Sequence, residues 1–243
     1  MPGTDDGVDA STGGSDATPQ PPGDDSVWAH TNRQLYRVDP GSLQATLVGT
    51  IAFSDGINQL TDLAVDASGG MVGVSTQQLY RIDKTTAAAT LIAPLTQAYN
   101  GLSYVDDGTG ERLLGTTQSG ELWRIDPTSG ASSRVGAFGG GLLSSGDIVF
   151  VYGAGLLATV TRADWTTDRL ARIDPTTGVA TVIGDTGHDN LFGIGYWAGR
   201  VIAFGEGGVL VSVDTSTGAT TLVSQSSMPW WGAAVTTTAP VIL

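Results

Sequence analysis

The chain has 243 residues, with 24 acidic and 11 basic side chains and a formal net charge of −13. It contains 35 glycines and no cysteine, which excludes a disulfide framework, a thiolate metal site and a cysteine nucleophile. The negative charge argues against a nucleic-acid partner, because binding a phosphate backbone needs a basic surface. No apolar run is long enough to predict a transmembrane helix.

The balance of residue types favours strands and turns over helices. The acidic side chains are 21 Asp and only 3 Glu, and lysine occurs once, at Lys84. Glu and Lys are good helix formers, whereas the abundant Thr, Val, Gly and Asp suit strands and tight turns. We therefore expect an all-β protein.

Residues 1–25 differ in composition from the rest of the chain. They include six Asp, five Gly and four Pro and no basic residue, so a disordered acidic linker is predicted. The segment resembles the linker that follows the lipid-bearing cysteine of bacterial surface lipoproteins. That resemblance implies an exported protein, periplasmic or anchored at the outer membrane, whose leader and cysteine have been removed. The alternative is a plain unstructured terminus.

Residues 26–243 contain an internal repeat. The copies are variants of the pattern L-x-R-I-D-P-T-[ST]-G, and their shared Asp recurs at spacings of 44, 43, 48 and 40 residues. Spacings of this size with strand-like content are typical of four-stranded propeller blades. The shared residues of the five copies are Asp39, Asp83, Asp126, Asp174 and Asp214.

Each copy predicts a β-hairpin preceded by two further strands. In the D-P-T-[ST]-G turn, Pro presets φ, Gly takes a positive-φ position, and the Asp carboxylate accepts hydrogen bonds from the backbone of the turn. Upstream of the second hairpin, LTDLAVD and MVGVST predict the two other strands. Each copy is therefore a four-stranded blade, with strands A to D from the centre outward.

The two ends of the repeat region are needed to complete the ring. The first copy has a B strand, SVWAHT, but no A strand, and WWGAAVTTT after the fifth copy aligns with the A strands. We predict a five-bladed β-propeller over residues 26–243, closed by a C-terminal strand that completes the N-terminal blade. This closure removes free sheet edges. An irregular β-sandwich is the alternative, and it fits the regular spacing poorly.

The hairpins and A-strand starts resemble those of bacterial five-bladed propeller-repeat proteins of the exported lipoprotein type. The resemblance covers residues 26–243 and implies the fold. It implies no single activity, because such propellers serve as lectins, scaffolds, metal-binding proteins and hydrolases. The hairpin is also similar to that of plant-type glutaminyl cyclases, which carry a metal in the channel, but no second motif of that family occurs.

Aligning the A strands places one residue of each blade at an equivalent position near the axis. Three of the five are Gly, which lets the strands approach closely, and the other two are acidic. Two carboxylates at the channel mouth suit a cation or a shared proton, or each caps a backbone turn. The aligned residues are Asp62, Gly101, Asp147, Gly193 and Gly232.

Both histidines are predicted on the face where the A strands begin, which we call the top face. His30 ends a B strand, and His188 lies in a D-to-A loop of the neighbouring sector. Because imidazole is a ligand of copper and zinc, we predict one divalent transition metal held by His30, His188 and Asp189. No local metal motif is present, and two unrelated surface imidazoles are the alternative.

Aromatic and amide side chains on the same face predict a ligand site. Flat rings beside Asn and Asp stack on sugars or hold an apolar ligand, and tryptophans that fill gaps between blades are the alternative. The predicted ligand-binding residues are Asp62, Tyr99, Asp147, Trp165, Asn190, Trp230 and Trp231.

These features favour a monomeric, exported, non-enzymatic protein that binds a small molecule, a glycan or a metal ion on its top face. Membrane contact is expected only through the removed lipid anchor. A hydrolase or lyase that uses Asp62 and Asp147 with a histidine as acid or base is one alternative. A scaffold for a surface protein, with a flat apolar top face, is the other.

Overall fold

A computed structural model of the protein describes residues 26–57, 59–108, 110–197 and 199–239. The predicted acidic linker, residues 1–25, lies outside the described residues. The described residues form strands joined by turns and loops, and no helix among them is long and apolar enough to cross a membrane. The strands are β1 (Val27–His30), β2 (Gln34–Val38), β3 (Ala45–Thr50), β4 (Ala52–Phe53), β5 (Asp62–Val65), β6 (Met71–Val74), β7 (Gln78–Ile82), β8 (Ala88–Pro94), β9 (Gly101–Val105), β10 (Arg112–Thr116), β11 (Glu121–Ile125), β12 (Ser132–Ala137), β13 (Leu143–Val151), β14 (Gly155–Thr161), β15 (Arg169–Ile173), β16 (Ala180–Asp185), β17 (Leu191–Trp197), β18 (Arg200–Gly205), β19 (Val209–Val213), β20 (Thr220–Gln225) and β21 (Gly232–Ala234).

The strands form five antiparallel blades, which confirms the predicted five-bladed propeller. From the axis outward the first blade has the order β21-β1-β2-β3, and the third to fifth are β9 to β12, β13 to β16 and β17 to β20. The second blade is β5 to β8, with the short β4 added in parallel to its outer strand.

The ring closes inside the first blade, as predicted. The C-terminal strand β21 pairs antiparallel with β1, with Trp28 opposite Ala234 and His30 opposite Gly232. His30 and Gly232 lie at the top-face end of this pair, so Ser26 and the chain after Ala234 lie at the opposite face. One sheet therefore contains strands from both ends of the described chain.

The repeated Asp residues hold the hairpin turns. In the third blade the Asp126 carboxylate accepts hydrogen bonds from the N–H groups of Thr128 (2.8 Å) and Ser129 (3.0 Å). Equivalent bonds from the turn backbone occur in the other four blades, and they lower the pKa of these carboxyls. In the first two copies Leu43 (φ 56°) and Ala87 (φ 59°) occupy the positive-φ position that Gly takes in the others.

Glycines also form the contacts between the outer parts of neighbouring blades. A Cβ atom at Gly184, in the fourth blade, would overlap the carbonyl oxygen of Thr217 in the hairpin turn of the fifth. Gly136 stands in the same relation to Thr177 one blade earlier. The final Gly of one repeat therefore packs on the turn of the next.

Apolar clusters fill the space between adjacent blades. Trp230 is 5% exposed and makes edge-to-face contacts with Tyr36 (ring centroids 5.2 Å apart) and Phe204 (5.6 Å). These three rings belong to the cluster between the fifth and first blades. The residue predicted as a ligand contact is thus part of the core at the closure of the ring.

The Gly184 contact predicts a matched pair of substitutions. We expect Gly184→Ala to lower the free energy of unfolding by about 1–3 kcal/mol, because the added methyl must displace backbone atoms. The control is Gly207→Ala, where a Cβ would meet no atom within 4 Å and φ is not positive. Urea unfolding measures both, and equal stability of the two variants would contradict the proposed contact.

Candidate functional site

The five aligned A-strand residues form a closed ring at the axis. A Cβ atom at Gly193 would lie 2.7 Å from the carbonyl carbon of Gly232, and one at Gly101 would lie 2.8 Å from the carbonyl oxygen of Gly146. Neighbouring backbones are therefore in direct contact, and at these positions no larger residue fits. The ring forms a floor across the channel.

Asp147 connects three blades beneath the top face. Its carboxylate accepts hydrogen bonds from the backbone N–H groups of Ile148 (2.6 Å), Ile194 (3.0 Å) and Ala233 (3.2 Å). These donors belong to the A strands of the fourth, fifth and first blades. A buried N–H group needs an acceptor, and the innermost edges of A strands have no neighbouring strand to supply one. Asp147 supplies it.

Asp62 has the same role on the other side of the axis. Its Oδ1 atom accepts the N–H of Leu63 at 2.8 Å, and the N–H of Leu102 lies near enough to lower the pKa of the carboxyl. Its Oδ2 atom receives no hydrogen bond of normal geometry from the described residues. Five backbone N–H groups face the two carboxyls. Each belongs to the residue immediately after a ring residue, and each blade contributes one.

His30 lies beside Asp62 in the same buried cluster. Its Nδ1 atom is 2.8 Å from the carbonyl oxygen of Thr31 and must donate to it, so the neutral ring carries its lone pair on Nε2. Nε2 is 3.6 Å from Oδ1 of Asp62 and has no hydrogen-bond partner among the described residues. Burial lowers the pKa of His30 to about 4, so the imidazole is neutral at pH 7.

Burial raises the pKa of both carboxyls. Burial, followed by the charge of Asp147, raises the pKa of Asp62 well above its usual range. Burial also raises the pKa of Asp147, to about 7, although hydrogen bonds to its carboxylate oppose that shift. Two adjacent carboxylates without water do not both ionise readily. The shared proton was one of the predicted roles for this pair.

A cavity of about 440 Å³ lies on the top face, directly above this ring. At each of the five ring positions the residue immediately before it lines the cavity, so all five blades contribute. These residues are Thr61, Asn100, Gly146, Phe192 and Trp231. The remaining lining residues are Gln59, Thr76, Ala98, Tyr99, Gln118 and Ser145.

The cavity has an aromatic side and a polar side. Trp231 and Phe192, from the first and fifth blades, supply half-buried rings. Hydroxyl and amide groups from the second, third and fourth blades form the rest of the wall. Asp62 and Asp147 are fully buried and do not line the cavity, so a ligand there would lie above them.

The other predicted ligand residues lie elsewhere. Two guanidinium groups lie over the ring of Trp165, with Arg162 5.2 Å and Arg169 4.9 Å from its centroid, so they compete with a stacking ligand. Asn190 is exposed in a loop with φ 55°, where its carbonyl accepts the N–H of Glu206. Of the predicted aromatic residues, Tyr99 and Trp231 line the cavity.

The histidines are in different surroundings. His188 is half-buried in its loop, where its carbonyl oxygen accepts the N–H of Asp168 at 2.7 Å, and Asp189 next to it is exposed. No described contact joins His188 to the buried His30. Within the described ranges, no three His, Asp or Glu side chains are arranged to hold a metal ion. The metal site of His30, His188 and Asp189 stays a prediction.

Two larger cavities lie on the opposite face, one of about 580 Å³ between the second and third blades and one of about 460 Å³ lined by the third blade. Hairpin turns and charged side chains, including Arg81, Lys84 and Asp83, line the first of them. These grooves involve two blades only. The axial cavity differs because every blade contributes to it and because it joins aromatic rings to uncharged polar groups.

Asn substitutions distinguish the two carboxyls. We expect Asp147→Asn to lower the free energy of unfolding by at least about 2 kcal/mol, because the amide NH₂ would face buried N–H donors. Asp62→Asn keeps an acceptor for Leu63 and places its NH₂ where Oδ2 accepts no normal hydrogen bond, so we expect a loss below about 1 kcal/mol at pH 7. Thermal and urea unfolding measure both, and equal losses would contradict these roles.

The carboxyl pair also predicts a pH dependence of stability. The pKa values of Asp62 and Asp147 are raised in the folded protein, so their contribution is present at low pH and is lost as pH rises through about 7 and above. The lowered pKa of His30 acts oppositely, but only between pH 6.5 and about 4. The loss from Asp147 is nearly complete at pH 7, so above pH 6.5 we expect the unfolding free energy to fall by up to about 1.4 kcal/mol per pH unit, mainly through Asp62.

The control for this pH dependence is Asp62→Asn, which removes one titrating carboxyl. Urea unfolding between pH 6.5 and 9 measures both proteins, and we expect a flatter profile for the variant. Identical profiles for the variant and the wild type would show that the buried pair does not titrate in this range.

The chain resembles solved propeller structures at low sequence identity. No protein family matches the sequence, and no curated protein does. A chain in a crystal structure of a nidogen/laminin complex is 10% identical, with a TM-score of 0.57 over 87% of this chain and 81% of that one. An oligogalacturonate lyase in complex with manganese is 16% identical, with a TM-score of 0.45 over 83% of this chain and 62% of the lyase. At 10% identity the similarity to the first of these chains shows the propeller fold alone.

Proposed function

We propose that the protein is a non-enzymatic binding protein that holds a small organic ligand in the axial cavity of its top face. The observation that carries this proposal is the convergence of all five blades on one cavity with aromatic rings and uncharged polar groups in its wall. Ligand sites are commonly concave, with volumes of about 300–1,000 Å³ and a few convergent polar groups among apolar ones. The cavity, at about 440 Å³, has these features.

The position of the acidic groups supports binding rather than catalysis. A general acid or base must come within hydrogen-bond distance of the reacting group. Asp62, Asp147 and His30 have no exposed surface and do not line the cavity. Their hydrogen bonds serve the A strands, so a hydrolase or lyase built on these residues has less support than a binding site.

The proposed setting of this binding protein is outside the cytoplasm. The acidic composition of residues 1–25 and the lack of cysteine support export. The similarity to a chain of a nidogen/laminin complex concerns the fold, and a protein partner on the top face is treated as an outcome of the experiment below.

A fragment screen tests the proposed site. We expect saturation-transfer NMR of a chemically diverse fragment set to find ligands whose binding weakens about tenfold or more in Trp231→Ala, because loss of ring contact removes about 1.4 kcal/mol. The backbone bond from Trp231 N–H to the carbonyl of His30 is retained in that variant.

The matched control is Trp165→Ala, which removes a tryptophan of the same face that does not line the cavity. Its affinities should equal those of the wild type, and melting temperatures identify any variant that is unfolded. Fragments that bind equally well to Trp231→Ala would place the site elsewhere. A screen without ligands would contradict small-molecule binding and leave the protein-partner alternative.

A further inference from the structure

We propose that the ligand of the axial cavity is an uncharged, hydroxyl-rich molecule, a neutral saccharide of one or two rings. This inference rests on the proposed function and adds the chemical class of the ligand. Four features of the cavity lead to it: the absence of charge in its wall, its aromatic side, its unpaired polar groups and its volume.

Among the described residues, the wall of the cavity contains no ionised side chain. A charged ligand that enters it loses hydration without gaining a counter-charge, which disfavours binding. Although the protein as a whole has a net charge of −13, its axial cavity is lined by neutral groups.

The aromatic side is held in place by the backbone. The N–H of Trp231 donates to the carbonyl oxygen of His30 at 2.9 Å, next to the pairing of β21 with β1. The backbone of Phe192 packs directly on Gly146, where a Cβ atom would lie 2.6 Å from the Phe192 carbonyl oxygen. The two residues come from adjacent blades. Aromatic rings present flat apolar faces, and the C–H face of a sugar ring matches such a surface.

The polar side offers groups that are not used within the protein. The side-chain oxygen of Asn100 is buried without a hydrogen-bond partner, whereas its amide nitrogen lies 3.4 Å from the carbonyl oxygen of Ser144. The single hydroxyl proton of Thr61 is shared between the carbonyl oxygens of Val74 (2.9 Å) and Tyr99 (3.0 Å), so the hydroxyl oxygen keeps its lone pairs as acceptors.

Sugar hydroxyls suit this arrangement because each one both donates and accepts. Asn100 lines the cavity, and if its amide turns toward a ligand, a sugar hydroxyl that donates to the side-chain oxygen would satisfy an acceptor that is otherwise buried and unpaired. A purely apolar ligand would cover the aromatic side and leave Asn100 unpaired. The cavity has the volume of roughly 15 water molecules at about 30 Å³ each, which limits the buried part of a ligand to one or two rings.

The test compares matched probes of different charge and polarity. The neutral probes are methyl glucoside, methyl galactoside, cellobiose, maltose and lactose, extended by an array of neutral oligosaccharides. Glucuronic acid and galacturonic acid supply a carboxylate, glucosamine supplies an ammonium group, and cyclohexanol supplies a six-membered ring without the hydroxyl pattern. Calorimetry and tryptophan fluorescence measure the dissociation constants.

We expect at least one neutral saccharide to bind, with its charged counterparts and cyclohexanol at least about tenfold weaker. Trp231→Ala and Asn100→Ala should each weaken that saccharide about tenfold or more, which corresponds to about 1.4 kcal/mol. The matched controls are Trp165→Ala and Asn32→Ala, because neither of these residues lines the cavity. Both controls should bind as the wild type does, and melting temperatures exclude loss of folding in any variant.

Each other outcome overturns part of this proposal. If no neutral saccharide binds while the fragment screen finds ligands that depend on Trp231, the saccharide class is wrong and the binding site stands. If charged sugars or cyclohexanol bind as tightly as neutral sugars, the class is also wrong. If saccharides bind independently of Trp231 and Asn100, the cavity is not their site. If neither screen finds a ligand, both proposals fail.

Discussion

The propeller depends on hydrogen-bond acceptors for the backbone N–H groups at its innermost strand edges. Five A strands meet at the axis, where each presents a backbone N–H with no neighbouring strand to accept it. Glycine at three ring positions leaves room for carboxyl groups at the other two. Asp147 accepts from three strands and Asp62 faces the remaining two. Asp62 and Asp147 thus face the innermost N–H groups of all five blades, and burial raises the pKa of both carboxyls.

The repeat made the fold predictable from the sequence. The spacing of Asp39, Asp83 and the later copies marks the hairpin turns, and the missing A strand of the first blade shows that the C-terminal segment must supply it. These are local signals that recur five times. The axial ring was predictable for the same reason, because alignment of the A strands alone brings Asp62 and Asp147 to equivalent positions.

The side-chain environment of the site was less predictable. The burial of His30 depends on its pairing with Gly232, which leaves no side chain between the imidazole and Asp62. Trp165 is covered by Arg162 and Arg169, which neighbour it in sequence but face it only once the loop has folded. The aligned A strands also contained a signal for the cavity. The residues one position before the ring residues include Thr61, Phe192 and Trp231, and these line the cavity.

Closure inside the first blade also orients the molecule. Because β1 and β21 are antiparallel and His30 and Gly232 mark their top-face ends, Ser26 and Thr237 both lie on the far side of the ring. The hydroxyl of Thr237 is bonded there to the carboxylate of Glu111 in the third blade, at 2.6 Å. Ser26, the first described residue, therefore lies on the face opposite the cavity. A domain held at a surface through that end would present its axial cavity away from the surface, toward the surrounding medium.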